Sequence, residues 1–134
     1  MPNPDSPYNS IMTHRVLVVD DSASMRDFIG TAIEEGCGVD VDTAGSGLEA
    51  LKLLPAHPYD FIFTDINMPD INGLELIRFI RSHPSLATVP VVVISTEATA
   101  KDRERAMQLG GTDYLVKPFT AEQVVAAFKK YTGA

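Results

Sequence analysis

Acids, a hydroxyl and a lysine stand at separated points of this chain, each at the end of an apolar run. Asp20-Asp21 follows Val16-Leu-Val-Val19, and Asp65 closes Phe61-Ile-Phe-Thr-Asp65. Ser95 follows Val89–Ile94, and Lys117 follows Tyr114-Leu-Val116. Should these points meet, the chemistry is that of hard oxygen donors beside one cation. Clustered carboxylates raise each other's pKa unless a cation neutralises them. Oxygen ligands on a partly open rim suit Mg²⁺, which keeps several waters and leaves room for a phosphate group. Each residue alone has a plainer reading: Asp20-Asp21 as acids at a helix start, Ser95 as a strand end, Lys117 as a solvated charge. Their recurrence at the same kind of position favours the joint reading.

The elements that must position them follow from periodicity. Val16–Val19 is a continuous apolar run, hence a strand buried on both faces. Ser22 or Ser24 caps the next helix, where Met25, Phe28, Ile29, Ala32 and Ile33 recur at helical spacing until Gly36 and Gly38 stop it. Val39-Asp-Val-Asp-Thr43 alternates, as a half-exposed edge strand does. Ser46 with Glu49 has capping-box spacing for a helix through Leu54, and Asn72 with Glu75 repeats it for a helix burying Leu74, Ile77 and Ile80. Thr99 with Asp102 opens a helix whose exposed face carries Lys101, Arg103, Glu104 and Arg105, closed by Gly110-Gly111. Thr120 with Gln123 caps a last helix with Val124, Phe128 and Tyr131 on one face. Residues 1–13, with three prolines, read as a flexible tail, and 14–134 as one folded domain.

Strand then helix, repeated along the chain, predicts an α/β domain: a doubly wound, five-stranded parallel sheet with five helices. The alternating second strand and the short fifth strand are edge candidates. That agrees with the flavodoxin-like order 2-1-3-4-5, in which all carboxyl strand ends open on one rim.

Composition narrows the function classes. A net charge of −7 opposes binding to a nucleic-acid backbone. The single cysteine, Cys37, cannot form an internal disulfide, and no Cys/His spacing suggests zinc. His14, His57 and His83 share no ligand spacing. The apolar runs are too short for membrane insertion, and the amino terminus lacks a secretion signal, so a cytoplasmic location is expected.

Asp20-Asp21, the run Asp65-Ile-Asn-Met-Pro69 with Gly73, Ser95, and Lys117-Pro118-Phe119 resemble the receiver domains of two-component response regulators, from Arg15 to Tyr131. The segment Tyr114-Leu-Val-Lys-Pro-Phe119, with no output domain after it, is most similar to the single-domain chemotaxis type. The resemblance implies that Asp65 accepts a phosphoryl group from a histidine kinase. It implies Mg²⁺ held by Asp21 directly, Asp20 through water, Asp65, and the backbone carbonyl of Asn67. Lys117 and Ser95 would bind the phosphoryl oxygens, and Ser95 with Tyr114 would form a switch. The Lys117–Pro118 bond is typically cis in such domains. Such a protein is not a turnover enzyme, since it catalyses only its own phosphoryl transfer and dephosphorylation. Its target would be a downstream protein such as a flagellar motor switch or a relay partner, and the roles of phosphorelay shuttle and phosphate sink stay open. The Lys101–Arg105 face is a solvated helix surface that borders the region where partners dock.

Two rivals come from other classes. Gly45-Ser-Gly47-Leu-Glu-Ala50, with Asp65 further on, fits a dinucleotide fingerprint, and a flavin carrier shares the topology. The fingerprint follows a buried central strand, however, whereas Val39–Thr43 alternates, and the acid cluster would repel a cofactor phosphate. An aspartyl-phosphate hydrolase of the haloacid-dehalogenase type would want an acid two residues past its nucleophile, where Asn67 stands.

Overall fold

A computed structural model describes residues 14–133. The expected flexible tail lies outside the described residues. The strands are β1 (Arg15–Val19), β2 (Asp40–Ala44), β3 (Phe61–Asp65), β4 (Val91–Ser95) and β5 (Asp113–Val116). The helices are α1 (Ala23–Cys37), α2 (Gly47–Leu53), α3 (Gly73–Ser82), α4 (Ala100–Gln108) and α5 (Ala121–Thr132). All pairings are parallel, in the order β2-β1-β3-β4-β5. The sheet is therefore the flavodoxin-like one expected, with β2 and β5 at its edges.

Side-chain alternation along each strand splits the core into two layers. Val16, Val18, Phe61, Phe63, Val92 and Ile94 face α1 and α5, meeting Ile29, Ile33, Val124 and Phe128. Leu17, Val19, Ile62, Val91 and Val93 face the other helices, meeting Ala50, Leu76, Ile77, Ile80 and Ala106. Burying residues of this size contributes roughly 1.5–3 kcal/mol each. This double covering explains why the inner strands read as unbroken apolar runs.

Local signals held with some shifts. Ser22 caps α1 by accepting from the Met25 N–H, and Gly38, at φ 65°, ends it. Gly36 does not stop the helix. A Cβ there would lie 2.7 Å from Val125, so it marks the close approach of α1 to α5. Phe28 is 40% exposed instead of buried, at the margin of its stripe and tilted against Phe119. Ser46 caps α2 as expected, but the Glu49 carboxylate accepts from the Gly45 N–H and not from Ser46. Asn72 caps α3, and Thr120 with Gln123 forms the full capping box on α5. Thr99 turns back instead of capping α4: its hydroxyl donates to the Thr96 carbonyl and accepts from the Thr96 N–H.

Arg81 fastens the base of the sheet. Its guanidinium donates to the carbonyls of Gly110 (2.9 Å), Leu86 (3.1 Å) and Val89 (2.7 Å). This joins the connection before β4 to the turn before β5, where Gly110 at φ 120° leaves no room for a side chain beside Arg81. A second tie crosses the edge of the sheet, where the Asp42 carboxylate accepts from Arg15 (3.0 Å) and from the Tyr59 hydroxyl (2.6 Å).

Burial alone would raise the Asp42 pKa, but the bonds from Tyr59 and Arg15 outweigh it and hold the carboxyl below its usual range. A depressed folded pKa contributes stability above the ordinary carboxylate range and loses it as pH falls through the lowered value. Asp42→Asn is expected to cost about 1–2 kcal/mol near neutral pH. The difference from the parent should shrink below about pH 4, as urea unfolding at stepped pH would show.

Candidate functional site

β1, β3 and β4 all end at the same rim, so the residues that close them are neighbours. Asp20 extends the β1–β2 ladder by one step, its N–H donating to the Ala44 carbonyl at 3.1 Å. Its side chain is fully buried, and Asp65 is only 8% exposed. Asp20, Asp21 and Asp65 each offer a carboxylate oxygen, and these three atoms lie within 4.8 Å of one another. The Lys117 ammonium stands 3.6 Å from Asp20 Oδ2. The structure thus brings together Asp20, Asp21, Asp65 and Lys117. Ser95 closes β4 in register with Val116, and the Lys117 N–H donates to the Ser95 carbonyl at 2.7 Å. Asn67 is exposed in the loop after β3, with its N–H turned toward the Asp65 carboxylate. The Lys117–Pro118 bond is cis.

Burial pushes the Asp65 carboxyl up to about 6, with the Asp20 charge adding to the rise and Lys117 opposing it. Asp20 is raised as well, again first by burial and also by Asp21. Desolvation therefore leads over the mutual repulsion that the sequence suggested. Both groups carry charge in a place that disfavours it, and one ammonium is shared between them.

The residues fit a hard divalent cation. Asp20 spends Oδ1 on the Ser22 N–H at 2.9 Å, while Oδ2 is buried without a hydrogen-bond partner. A buried carboxylate oxygen with no hydrogen bond, facing an ammonium at 3.6 Å and standing beside two further carboxylates, belongs to a donor set for Mg²⁺ in character and charge.

Several supports were hidden in the sequence. Arg26 donates to the Asp20 carbonyl at 2.6 Å, fixing the chain where it leaves β1. The Asp70 carboxylate accepts from the N–H groups of Gly47 (3.2 Å) and Leu48 (3.0 Å), clipping the β3–α3 loop onto α2. Gly47 permits this, since a Cβ there would stand 2.4 Å from the Ile71 carbonyl oxygen. The glycine pattern that imitates a dinucleotide fingerprint thus serves a loop packing. Arg103, placed by its neighbours on a solvated face, lies against Tyr114 and Ser95. The signal was available in helix phase: Arg103 precedes buried Ala106 by one turn. A cavity of about 720 Å³ lies at the opposite end of the sheet among residues such as His57, Tyr59, His83 and Pro90.

Gly73 sets the placement of Asp65. Its N–H donates to the Ile66 carbonyl at 2.8 Å, and a Cβ would come 2.2 Å from the Asp65 carbonyl oxygen. Backbone cannot yield as a side chain can, so Gly73→Ala should destabilise the fold by about 1–3 kcal/mol or more. Urea unfolding and the amide shifts of Asp65 and Ile66 would check it. An unchanged midpoint with unmoved amides would contradict this account.

Residues 16–129 match the model of the response regulator receiver domain. A probable transcriptional regulatory protein of Picosynechococcus sp. is 39% identical over 119 residues, covering 84% of this chain and 46% of that protein. The chain thus spans less than half of that relative. Chemotaxis protein CheY-3 of Vibrio cholerae is 36% identical over 107 residues, which cover 80% of this chain and 82% of that one. Among solved structures, the chemotaxis response regulator CheY4 of Vibrio cholerae superposes with a TM-score of 0.83 at 29% identity, over 90% of this chain and 99% of that one. The shared rim of acids and lysine, the strand order and these likenesses agree: the chain belongs to the response regulator receiver domain family.

Proposed function

We propose that this chain is a single-domain, chemotaxis-type response regulator that takes a phosphoryl group from a histidine kinase onto Asp65. The observation that carries the reading is the convergence of three carboxylate oxygens within 4.8 Å, with Lys117 beside them. The similarity to chemotaxis proteins over most of both chains supports the chemotaxis assignment. Among the described residues no helix is long and apolar enough to cross a membrane. The kinase reading places the protein in the cytoplasm.

In the proposed transfer an Asp65 carboxylate oxygen forms a bond to phosphorus as the bond to the donor histidine nitrogen breaks, the electron pair leaving with the ring. Asp21, Asp65 and the Asn67 carbonyl would hold Mg²⁺ directly, with Asp20 acting through water. When bound, the ion offsets charge on the transferring phosphoryl oxygens. Near neutral pH most Asp65 is ionised even in the metal-free protein, given its position at about 6, so the nucleophile is ready. Lys117 would turn from Asp20 toward the added phosphoryl oxygens. Ser95 would donate its hydroxyl to them from the adjacent strand end. Its displacement would then let Tyr114, 43% exposed here, turn inward and change the surface of α4, β5 and α5. That surface is where a motor-switch or relay partner would read the signal.

The test is to mix the protein with phosphoramidate and Mg²⁺ and to weigh it by mass spectrometry, with Asp65→Asn as control. One alkali-labile phosphate on the parent and none on the variant is expected, and chelating Mg²⁺ should slow labelling at least tenfold. A parent that stays unlabelled, or a variant that labels equally, would overturn the assignment of Asp65.

A further inference from the structure

Strand parity puts Ser95 and Tyr114 on one face of the sheet. In parallel register Val93 pairs with Tyr114 and Ser95 with Val116. Alternation then aims Val93, Ser95, Tyr114 and Val116 to the same side. Val93 shares its core layer with Ala106 of α4, so that side is the one α4 covers. Arg103 lies one helical turn before Ala106, and its side chain therefore reaches back between helix and sheet.

Two partners receive it there. The guanidinium carbon sits 4.7 Å from the centre of the Tyr114 ring, within the range of a cation–π contact. One guanidinium nitrogen stands 3.5 Å from Ser95 Oγ, at the long limit of a hydrogen bond. No carboxylate pairs with Arg103 among the described residues; the ion pairs there are made by Arg15 and Lys117. Its charge is held by the ring and the hydroxyl, and both attachments are weak enough to exchange.

We infer that Arg103 is the positioning residue that couples Ser95 to Tyr114, holding the ring outward until phosphorylation draws the hydroxyl away. This rests on the reading of Asp65 as phosphoacceptor. A serine hydroxyl donates one proton and accepts through two lone pairs. Ser95 can thus give its proton to a phosphoryl oxygen while still accepting from Arg103, so the guanidinium is free to follow Ser95 toward the new negative charge. Following it means leaving the face of Tyr114. The ring then loses the contact that favours its exposed position.

The coupling has a signature that simple packing lacks. Removing Arg103 should favour the inward ring before any phosphate arrives, because the outward ring loses its partner. Arg103→Met keeps an unbranched stem out to about the depth of Nε and removes the charged, planar end. It should raise the inward-to-outward ratio of the unphosphorylated protein about two- to fivefold, the worth of one part-exposed cation–π contact. Labelling of Asp65 should continue, and the further change in the ring on labelling should shrink correspondingly. Arg103→Lys restores a cation over the ring without the planar donor, so the resting ratio should return toward the parent.

The readout is ¹⁹F NMR of protein containing 3-fluorotyrosine, with the Tyr114 line assigned through Tyr114→Phe. Each protein is measured before and after phosphoramidate with Mg²⁺, and phosphate is counted by mass. The parent Tyr114 line should move on labelling, and Arg103→Met should start part-way along that path. A resting line unaltered in Arg103→Met, with a full response to labelling, would sink the role of Arg103 while leaving Asp65 as acceptor. A parent that labels without any movement of the Tyr114 line would sink it too. A parent that takes no phosphate would instead overturn the functional reading beneath it.

Discussion

Everything in this molecule is arranged around an imbalance of charge at one rim. Asp20 and Asp65 are taken almost wholly out of water, Asp21 stands beside them, and one ammonium answers for the group. Burial and like-charge repulsion both raise the cost of ionisation there, as the shifted Asp65 carboxyl records. Such a cluster cannot be held by its own attractions. It is held by the strands behind it, whose apolar packing pins three carboxylates closer than they would choose to stand. The energy stored in that crowding is what makes a cation welcome there.

The sequence made the scaffold legible because its inner strands are buried on both faces. Val16–Val19, Phe61–Phe63 and Val91–Ile94 are apolar throughout for that reason, and the first charged or hydroxyl residue after each run marks the rim, save that buried Thr64 stands between Phe63 and Asp65. Edge strands were legible by contrast, since β2 alternates and β5 is short. Capping was less so, because a cap competes with neighbouring acceptors for the same few N–H groups. Glu49 therefore serves Gly45, and Thr99 serves Thr96. Phe28 shows the corresponding limit for periodicity: one residue from a true core position, it has its ring near the surface.

Long-range polar supports were the part that composition and spacing conceal. Nothing near Asp70 announces that it will accept from Gly47 and Leu48 across more than twenty residues. Arg103 reads as an ordinary surface cation until its helix is docked on the sheet, and nothing in the sequence singles out Arg26. Both then point inward, Arg26 onto the Asp20 carbonyl and Arg103 onto Tyr114. A charge on a helix can be placed by phase only after the depth of its partner is known. The acids and lysine escaped this difficulty because strand ends have nowhere else to go.

The clip of Asp70 on α2 makes the two flanks of the rim mechanically unlike. On that flank the β3–α3 loop is fastened at Asp70 and again at Gly73, where two backbones touch too closely for even a methyl group. On the other, the exposed ring of Tyr114 is held against α4 by one guanidinium on its aromatic face. The first flank is fixed by backbone contacts, whereas the ring on the second depends on a contact that can exchange. On the proposed reading of Asp65 as phosphoacceptor, the direction of the signal would follow from this unequal fastening.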